Sequence, residues 1–241
     1  MFKNESIKEK LKKYDITIYT DFDGTISSKD IGDDFFKRYG EFEKYHKKLF
    51  SREISIYEYW VSLCNSLNKN VELKTFIEYV KEVDIDPYFT KFIQYCNSLN
   101  IKVSVISDGF DAYIKPFLNK YGLDSINVFS NKLIFTDGQL PQPYYPGASE
   151  SCKCLCASCK RNVIISNTPP ENIIVYIGDG YSDFCAAEHS DIVFAKNALA
   201  TYCNEKRIPH YPFGNFFDIY YIFEKLIKKN KFKIKIGRAH V

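Results

Sequence analysis

ITIYTDFDGT occupies residues 16–25. Its first five residues, Ile16 to Thr20, are apolar or β-branched and predict a buried strand. The strand runs into two aspartates spaced by one residue, Asp21 and Asp23, and Gly24 and Thr25 then turn the chain. Burying even one unpaired carboxylate is costly, so two at a strand end call for a metal ion or for phosphate chemistry. Open parallel sheets bind ligands at the carboxyl ends of their strands. Asp21 is therefore expected at the centre of an active site, as a nucleophile or a metal ligand.

The same order of strand, small polar residues, glycine and helix returns twice. Ile101–Ile106 (IKVSVI) predicts a strand, followed by Ser107, Asp108 and Gly109 and a helix over 110–121. Such a turn exposes backbone N–H groups at a helix start, a natural cradle for a phosphate. NIIVYI at 172–177 predicts another strand, ending in Gly178-Asp179-Gly180-Tyr181-Ser182-Asp183 and a helix to about His189. Further strands are read at 127–135, with a turn at Asn131 and Lys132, and at 192–194. Helices are read at 3–13, 88–99, about 158–166, 197–205 and 216–228, and a loop at 136–151. Between 30 and 86 no strand is expected. Aromatic and aliphatic residues recur there at helical spacing, for example Phe35, Phe36, Tyr39, Phe42 and Tyr45, and predict about three helices. Alternating strands and helices predict an α/β, doubly wound parallel sheet. The expected division is a core over 1–28 and 87–235 and a small helical cap over 29–86.

Composition narrows the function. The net charge of +3 comes from the end of the chain: residues 225–241 carry seven Lys or Arg and no acid, and 26 basic against 30 acidic residues remain without them. A mildly acidic body lends nucleic-acid binding little support. No run of about 18 apolar residues suggests a membrane span. The charged N-terminus has no apolar stretch of a secretion signal, so the cytoplasm is the expected location. The last six residues, IGRAHV, match the translation of a sequencing adapter (ATC GGA AGA GCA CAC GTC), so 236–241 is expected to be a non-native tail.

Asp21 and Asp23, Ser107, Lys160, and Asp179 and Asp183 all fall at strand ends or in neighbouring loops and can converge on one sheet edge. Phosphoryl transfer needs these parts: an attacking carboxylate, Mg²⁺ to neutralise it against the phosphate, a lysine and donors for the equatorial oxygens, and an acid for the leaving alkoxide.

DFDGT, the Ser107-Asp108-Gly109 turn, Lys160 and GDGYSD, in this order, resemble the four motifs of the haloacid-dehalogenase (HAD) phosphatase superfamily across nearly the whole chain. The helical insert after the first motif is similar to the type-one cap of the phosphoserine-phosphatase-like branch. YIGDGYSDFCAAEHSDIVFAK, with a cysteine-rich segment before the lysine, resembles the methionine-salvage phosphatases that act on 2-hydroxy-3-keto-5-methylthiopentenyl 1-phosphate. The resemblance implies an HAD-like (Rossmannoid) core and a Mg²⁺-dependent phosphatase of a small-molecule phosphomonoester, a monomer or homodimer. It also implies the roles. Asp21 would become an aspartyl phosphate. Asp23 would protonate the leaving oxygen and then activate water. Thr25, Ser107, Asp108, Gly109 and Lys160 would form the phosphate and substrate set. Asp21, Asp23 through its carbonyl, Asp179 and Asp183 would serve the metal. Phosphoethanolamine, phosphocholine and phosphoserine remain alternative substrates, and a phosphotransferase using the same intermediate remains an alternative activity. Asp30 lies where phosphoserine phosphatases carry an acid that meets the substrate amine, and it reads equally as a helix N-cap.

Cys152, Cys154, Cys156 and Cys159 have a C-x-C-x-C-x-x-C spacing that could close a structural Zn²⁺ site; a reduced loop without metal is the other reading. Cys64, Cys96, Cys185 and Cys203 read as single buried residues, with disulfides not expected in a cytoplasmic chain. His46, His189 and His210 show no ligand spacing and read as surface or core residues, and His240 belongs to the tail.

Overall fold

The computed structural model describes residues 15–149 and 156–229. The segment 3–13, Cys152, Cys154 and the tail 236–241 lie outside them. Seven strands are described: β1 (Ile16–Thr20), β2 (Lys102–Phe110), β3 (Asn127–Ile134), β4 (Gln142–Tyr144), β5 (Ile173–Gly178), β6 (Ile192–Ala195) and β7 (Tyr211–Pro212). They form one sheet in the order β4-β3-β2-β1-β5-β6-β7. All neighbours run parallel except the β3–β4 pair, which is antiparallel.

The opening stretch forms the middle strand because it can be buried on both faces. Ile18 packs into one apolar cluster with Val105, Val175 and Phe194, and its neighbour Tyr19 into another with Ile106, Tyr176 and Val193. Strands covered on both faces are the mark of a parallel sheet flanked by helices. The helices after the central strands are α5 (Phe89–Ser98), α6 (Asp111–Lys120), α7 (Lys160–Asn167), α8 (Phe184–Glu188), α9 (Asn197–Glu205) and α10 (Phe216–Lys229).

Between β1 and α5 lie four helices rather than about three: α1 (Ile31–Tyr39), α2 (Phe42–Phe50), α3 (Ile56–Asn65) and α4 (Leu73–Val80). Their starts are legible. Asp30 caps α1 by accepting from the Asp33 N–H at 2.7 Å, and Ser55 and Glu58 form a reciprocal capping box on α3. Their shared core is aromatic. Phe35 stacks on Phe76 at a centroid distance of 3.8 Å. Trp60 meets Phe110, at the end of β2, edge-on at 4.9 Å. That contact sets these helices over the carboxyl end of the sheet.

Four readings need correction. Asn131 and Lys132 do not turn the chain, because β3 continues through both. The stretch 136–151, expected as a loop, contains β4, and Ser107, Asp108 and Gly109, expected as a turn, lie inside β2, which runs to Phe110; residues 211–212, where no strand is expected, form β7. These two edge strands of three and two residues carry no periodicity, and only the partner strand makes them strands.

Candidate active site

The sheet register brings the acids together. Thr20 pairs with Val105 on β2 and with Ile177 on β5, so Asp21 and Asp179, each just beyond its strand, and Ser107, two residues past Val105 within β2, lie at the same end of the sheet. The Asp21 N–H closes this junction by donating to the Ile177 carbonyl at 2.8 Å. One carboxylate oxygen each from Asp21, Asp179 and Asp183 lies within 4.8 Å of the others.

Lys160, the first residue of α7, reaches into this group. Its Nζ donates to Asp21 Oδ1 and to Asp183 Oδ1, each at 2.6 Å. Lys160 is 1% and Asp183 0% exposed, so neither charge is screened by water. Burial works against the ammonium, but Asp183 and Asp21 outweigh it and hold the lysine pKa above its ordinary value. Both oxygens of Asp183 are occupied: Oδ1 also accepts from Tyr176 Oη at 2.6 Å, and Oδ2 accepts the N–H groups of Asp179 and Gly180. Asp183 therefore orients the lysine and the glycine-rich turn. Asp179 is aimed by Thr25 Oγ1 and Asn197 Nδ2, at 3.1 Å each. One ammonium thus faces three carboxylates. Burial and then the Asp183 charge raise the pKa of both Asp21 and Asp179. A donor set of hard oxygens with surplus negative charge fits a divalent cation.

Asp23 stands apart from that triad. Its Oδ1 accepts the Ile31 N–H at the start of α1, and its Oδ2 accepts from Tyr113 Oη, both at 2.8 Å. Burial, then the charges of Asp30 and Asp21, push its pKa well above the usual carboxylate value. This carboxyl keeps its proton to higher pH than an ordinary aspartate, as a general acid must. Gly109 makes the arrangement possible: a Cβ there would collide with Tyr113 Oη and come 2.8 Å from Asp23 Oδ2. The Gly109 N–H donates to Ser107 Oγ at 2.9 Å, which fixes that buried hydroxyl.

Asp108 differs from its expected role in detail. Asp108 Oδ1 accepts from Asn131 Nδ2 and from the N–H groups of Ala157 and Ser158, so its carboxylate anchors the loop that delivers Lys160. Asp30 is the α1 cap and also borders the cavity. It is exposed at the mouth but walled by protein elsewhere, and desolvation, then the Asp33 charge, push its carboxyl up to about 7.

The acids open into a cavity of about 280 Å³ beneath α1, α2 and α3. His46 lines it, stacked on Phe42 at 4.8 Å, so this histidine belongs to the site wall. Sequence reasoning also missed Tyr113, Tyr176, Asn197 and Trp60. They sit inside regular elements and carry no local motif.

Cys156 and Cys159 are buried, and Cys159 caps α7. With Cys152 and Cys154 outside the described residues, the aspartate triad is the metal-capable group among those described, and structural zinc finds no support. Cys185, expected to be single, is disulfide-bonded; pairing through space is invisible to spacing along the chain. Among the described residues no helix is long and apolar enough to cross a membrane.

Comparison with known proteins agrees with this geometry. Residues 16–204 match the model of a family described as "Putative Phosphatase". A 2-hydroxy-3-keto-5-methylthiopentenyl-1-phosphate phosphatase of Bacillus mycoides is 31% identical over 85% of this chain and 94% of its own length. The Brevibacillus brevis protein of the same name is 27% identical over 88% and 96%. Among solved structures, a phosphoserine phosphatase with a phospho-aspartyl intermediate analogue superposes with a TM-score of 0.64 at 20% identity, covering 90% of this chain and all of that one. A substrate-bound phosphoserine phosphatase complex gives 0.64 at 19%, covering 90% and 99%.

Proposed function

The chain belongs to the "Putative Phosphatase" family, and on that premise we propose that it hydrolyses a small phosphomonoester by way of a phosphorylated Asp21. The observation that carries this reading is Lys160 Nζ, buried and 2.6 Å from both Asp21 and Asp183, with Asp179 in the same cluster. Lys160 holds Asp21 Oδ1, which leaves Oδ2 to attack phosphorus. As that bond forms, the phosphorus–oxygen bond to the leaving group breaks, and Asp23 gives its proton to the departing oxygen. Asp23, now a carboxylate, takes a proton from water, whose oxygen attacks phosphorus and releases Asp21 and inorganic phosphate. Ser107 Oγ and Lys160 steady the phosphoryl oxygens. Asp21 and Asp179 would hold Mg²⁺, with Asp183 fixing the turn behind them. When bound, the ion supplies positive charge that offsets repulsion between Asp21 and the incoming phosphate. Helices α1 to α4 serve as a cap that closes the leaving-group side.

The substrate we infer is 2-hydroxy-3-keto-5-methylthiopentenyl 1-phosphate, the one in the names of the relatives. The cavity disfavours an anionic leaving group: Asp23, Asp30 and Asp33 line it, and no Lys or Arg does among the described residues. A carboxylate such as that of phosphoserine would meet repulsion there. The test is turnover of this ester, phosphocholine, phosphoethanolamine and phosphoserine with Mg²⁺, by the wild type and by Asp21→Asn. The expected result is preference for the keto ester and a loss of at least about a thousandfold in the variant. An active, folded Asp21→Asn protein would refute the nucleophile.

A further inference from the structure

Tyr113 is buried, and its ring rests against Phe22 at a centroid distance of 6.2 Å. A phenylalanine would fill the same space, so the hydroxyl is the part that calls for a reason: a buried donor costs free energy unless it is paired. It donates to Asp23 Oδ2 at 2.8 Å. Two glycines from different elements leave room for it. A Cβ on Gly109, in β2, would collide with the Oη, and one on Gly32, in α1, would lie 2.9 Å from it. Asp23 Oδ1 meanwhile accepts the Ile31 N–H at 2.8 Å. A carboxyl held at one oxygen can still swing about its Cβ–Cγ bond. Held at both it is fixed, and each oxygen keeps a second lone pair for a proton.

We propose that Tyr113 is a positioning residue for the reaction: by pinning Asp23 Oδ2, its hydroxyl aims the carboxyl that protonates the leaving oxygen and then takes a proton from water. This rests on the phosphatase reading and extends it to a residue that acts through Asp23. The Ile31 N–H is backbone and survives substitution, so the hydroxyl is the donor that a variant can remove.

The experiment compares the wild type, Tyr113→Phe, Gly32→Ala and the double variant with Mg²⁺. Gly32→Ala keeps the phenol but forces its hydroxyl to shift, and alanine favours the α1 helix over glycine. The substrates are p-nitrophenyl phosphate and the fastest alkyl ester among hexyl phosphate, phosphocholine and phosphoethanolamine. Tyr113→Phe should slow the first turnover of the alkyl ester by about ten- to a hundredfold. That of p-nitrophenyl phosphate, whose phenolate leaves unprotonated, should slow by less than about threefold. Decay of the phosphorylated Asp21, followed by chase and acid quench, should slow by about tenfold or more, whichever ester formed it. Gly32→Ala should show the same pattern to a smaller degree, and adding it to Tyr113→Phe should change nothing further, because the hydroxyl that it displaces is gone. Wild-type rates in Tyr113→Phe, equal slowing of both first turnovers, an unchanged decay, or additive effects of the two substitutions would each overturn the proposal while leaving the phosphatase reading intact. A wild type that hydrolyses none of these esters, nor any of the earlier panel, overturns both.

Discussion

Asp23 shows how much of a residue's chemistry is supplied by its neighbours. Its position two residues after Asp21 is plain in the sequence, but the Tyr113 hydroxyl and the Ile31 N–H that hold it come from two different helices. Because burial and nearby carboxylates raise its pKa, the protonated, active form prevails below that pKa and fades as pH rises through it. Asp23→Asn should slow turnover of alkyl esters by about 10²–10⁴-fold. The first-turnover burst with p-nitrophenyl phosphate, whose phenolate departs without protonation, should fall much less. Rapid-quench measurement across pH checks both, and the decline at high pH expected of the wild type's first turnover of alkyl esters should be absent from the variant.

At the scale of elements, the loop before α7 decides where the lysine goes. Asp108, Asn131 and Ser158 tie β2, β3 and that loop together: Asn131 Nδ2 donates to the Asp108 carboxylate and Ser158 Oγ to Asn131 Oδ1. Asp108→Ala would leave the Ala157 and Ser158 N–H groups unpaired, at a cost of about 1–3 kcal/mol. Thermal unfolding and kcat should fall together. Asp108→Asn, whose amide oxygen can still accept, should retain most of both. The wild type has a pH signature that Asn lacks. Burial raises Asp108 to about 6 despite the N–H groups it accepts from, so the folded state holds the proton more tightly than the unfolded chain. This contribution to stability is therefore largest at low pH, declines as pH rises from the ordinary carboxylate pKa to about 6, and is flat above. Helices such as α3, with its capping box, and α9 could be read directly from residue spacing. Asn131 could not: an asparagine in an alternating segment looks like a turn until Asp108 is seen across the strand pair.

At the scale of the whole molecule, the cluster of Asp21, Asp179 and Asp183 joins the ends of two neighbouring strands around one ammonium. A cation bound there stabilises only the folded chain. Mg²⁺ at about 100 times its Kd should add ~2.7 kcal/mol, which raises Tm by ~5–10 °C in a chain of this size. Calorimetry checks this: Asp179→Asn should lose most of the rise, and chelation by EDTA should abolish turnover until Mg²⁺ is restored.

The sequence by itself determined the buried first strand, the order of the longer strands and helices, and which acids and which lysine stand at or near strand ends. Each of these is written in periodicity or in a strand-end motif that depends on neighbours along the chain. The tertiary structure alone decided the partners: Tyr113 on Asp23, Tyr176 on Asp183, Asn197 on Asp179, and Trp60 and His46 in the cavity wall. Those contacts join residues far apart in sequence, through side chains that would serve equally well as core. Their meaning arises only when parallel register and the placement of α1 to α4 bring them within hydrogen-bonding distance or into one cavity, and no local pattern encodes that distance.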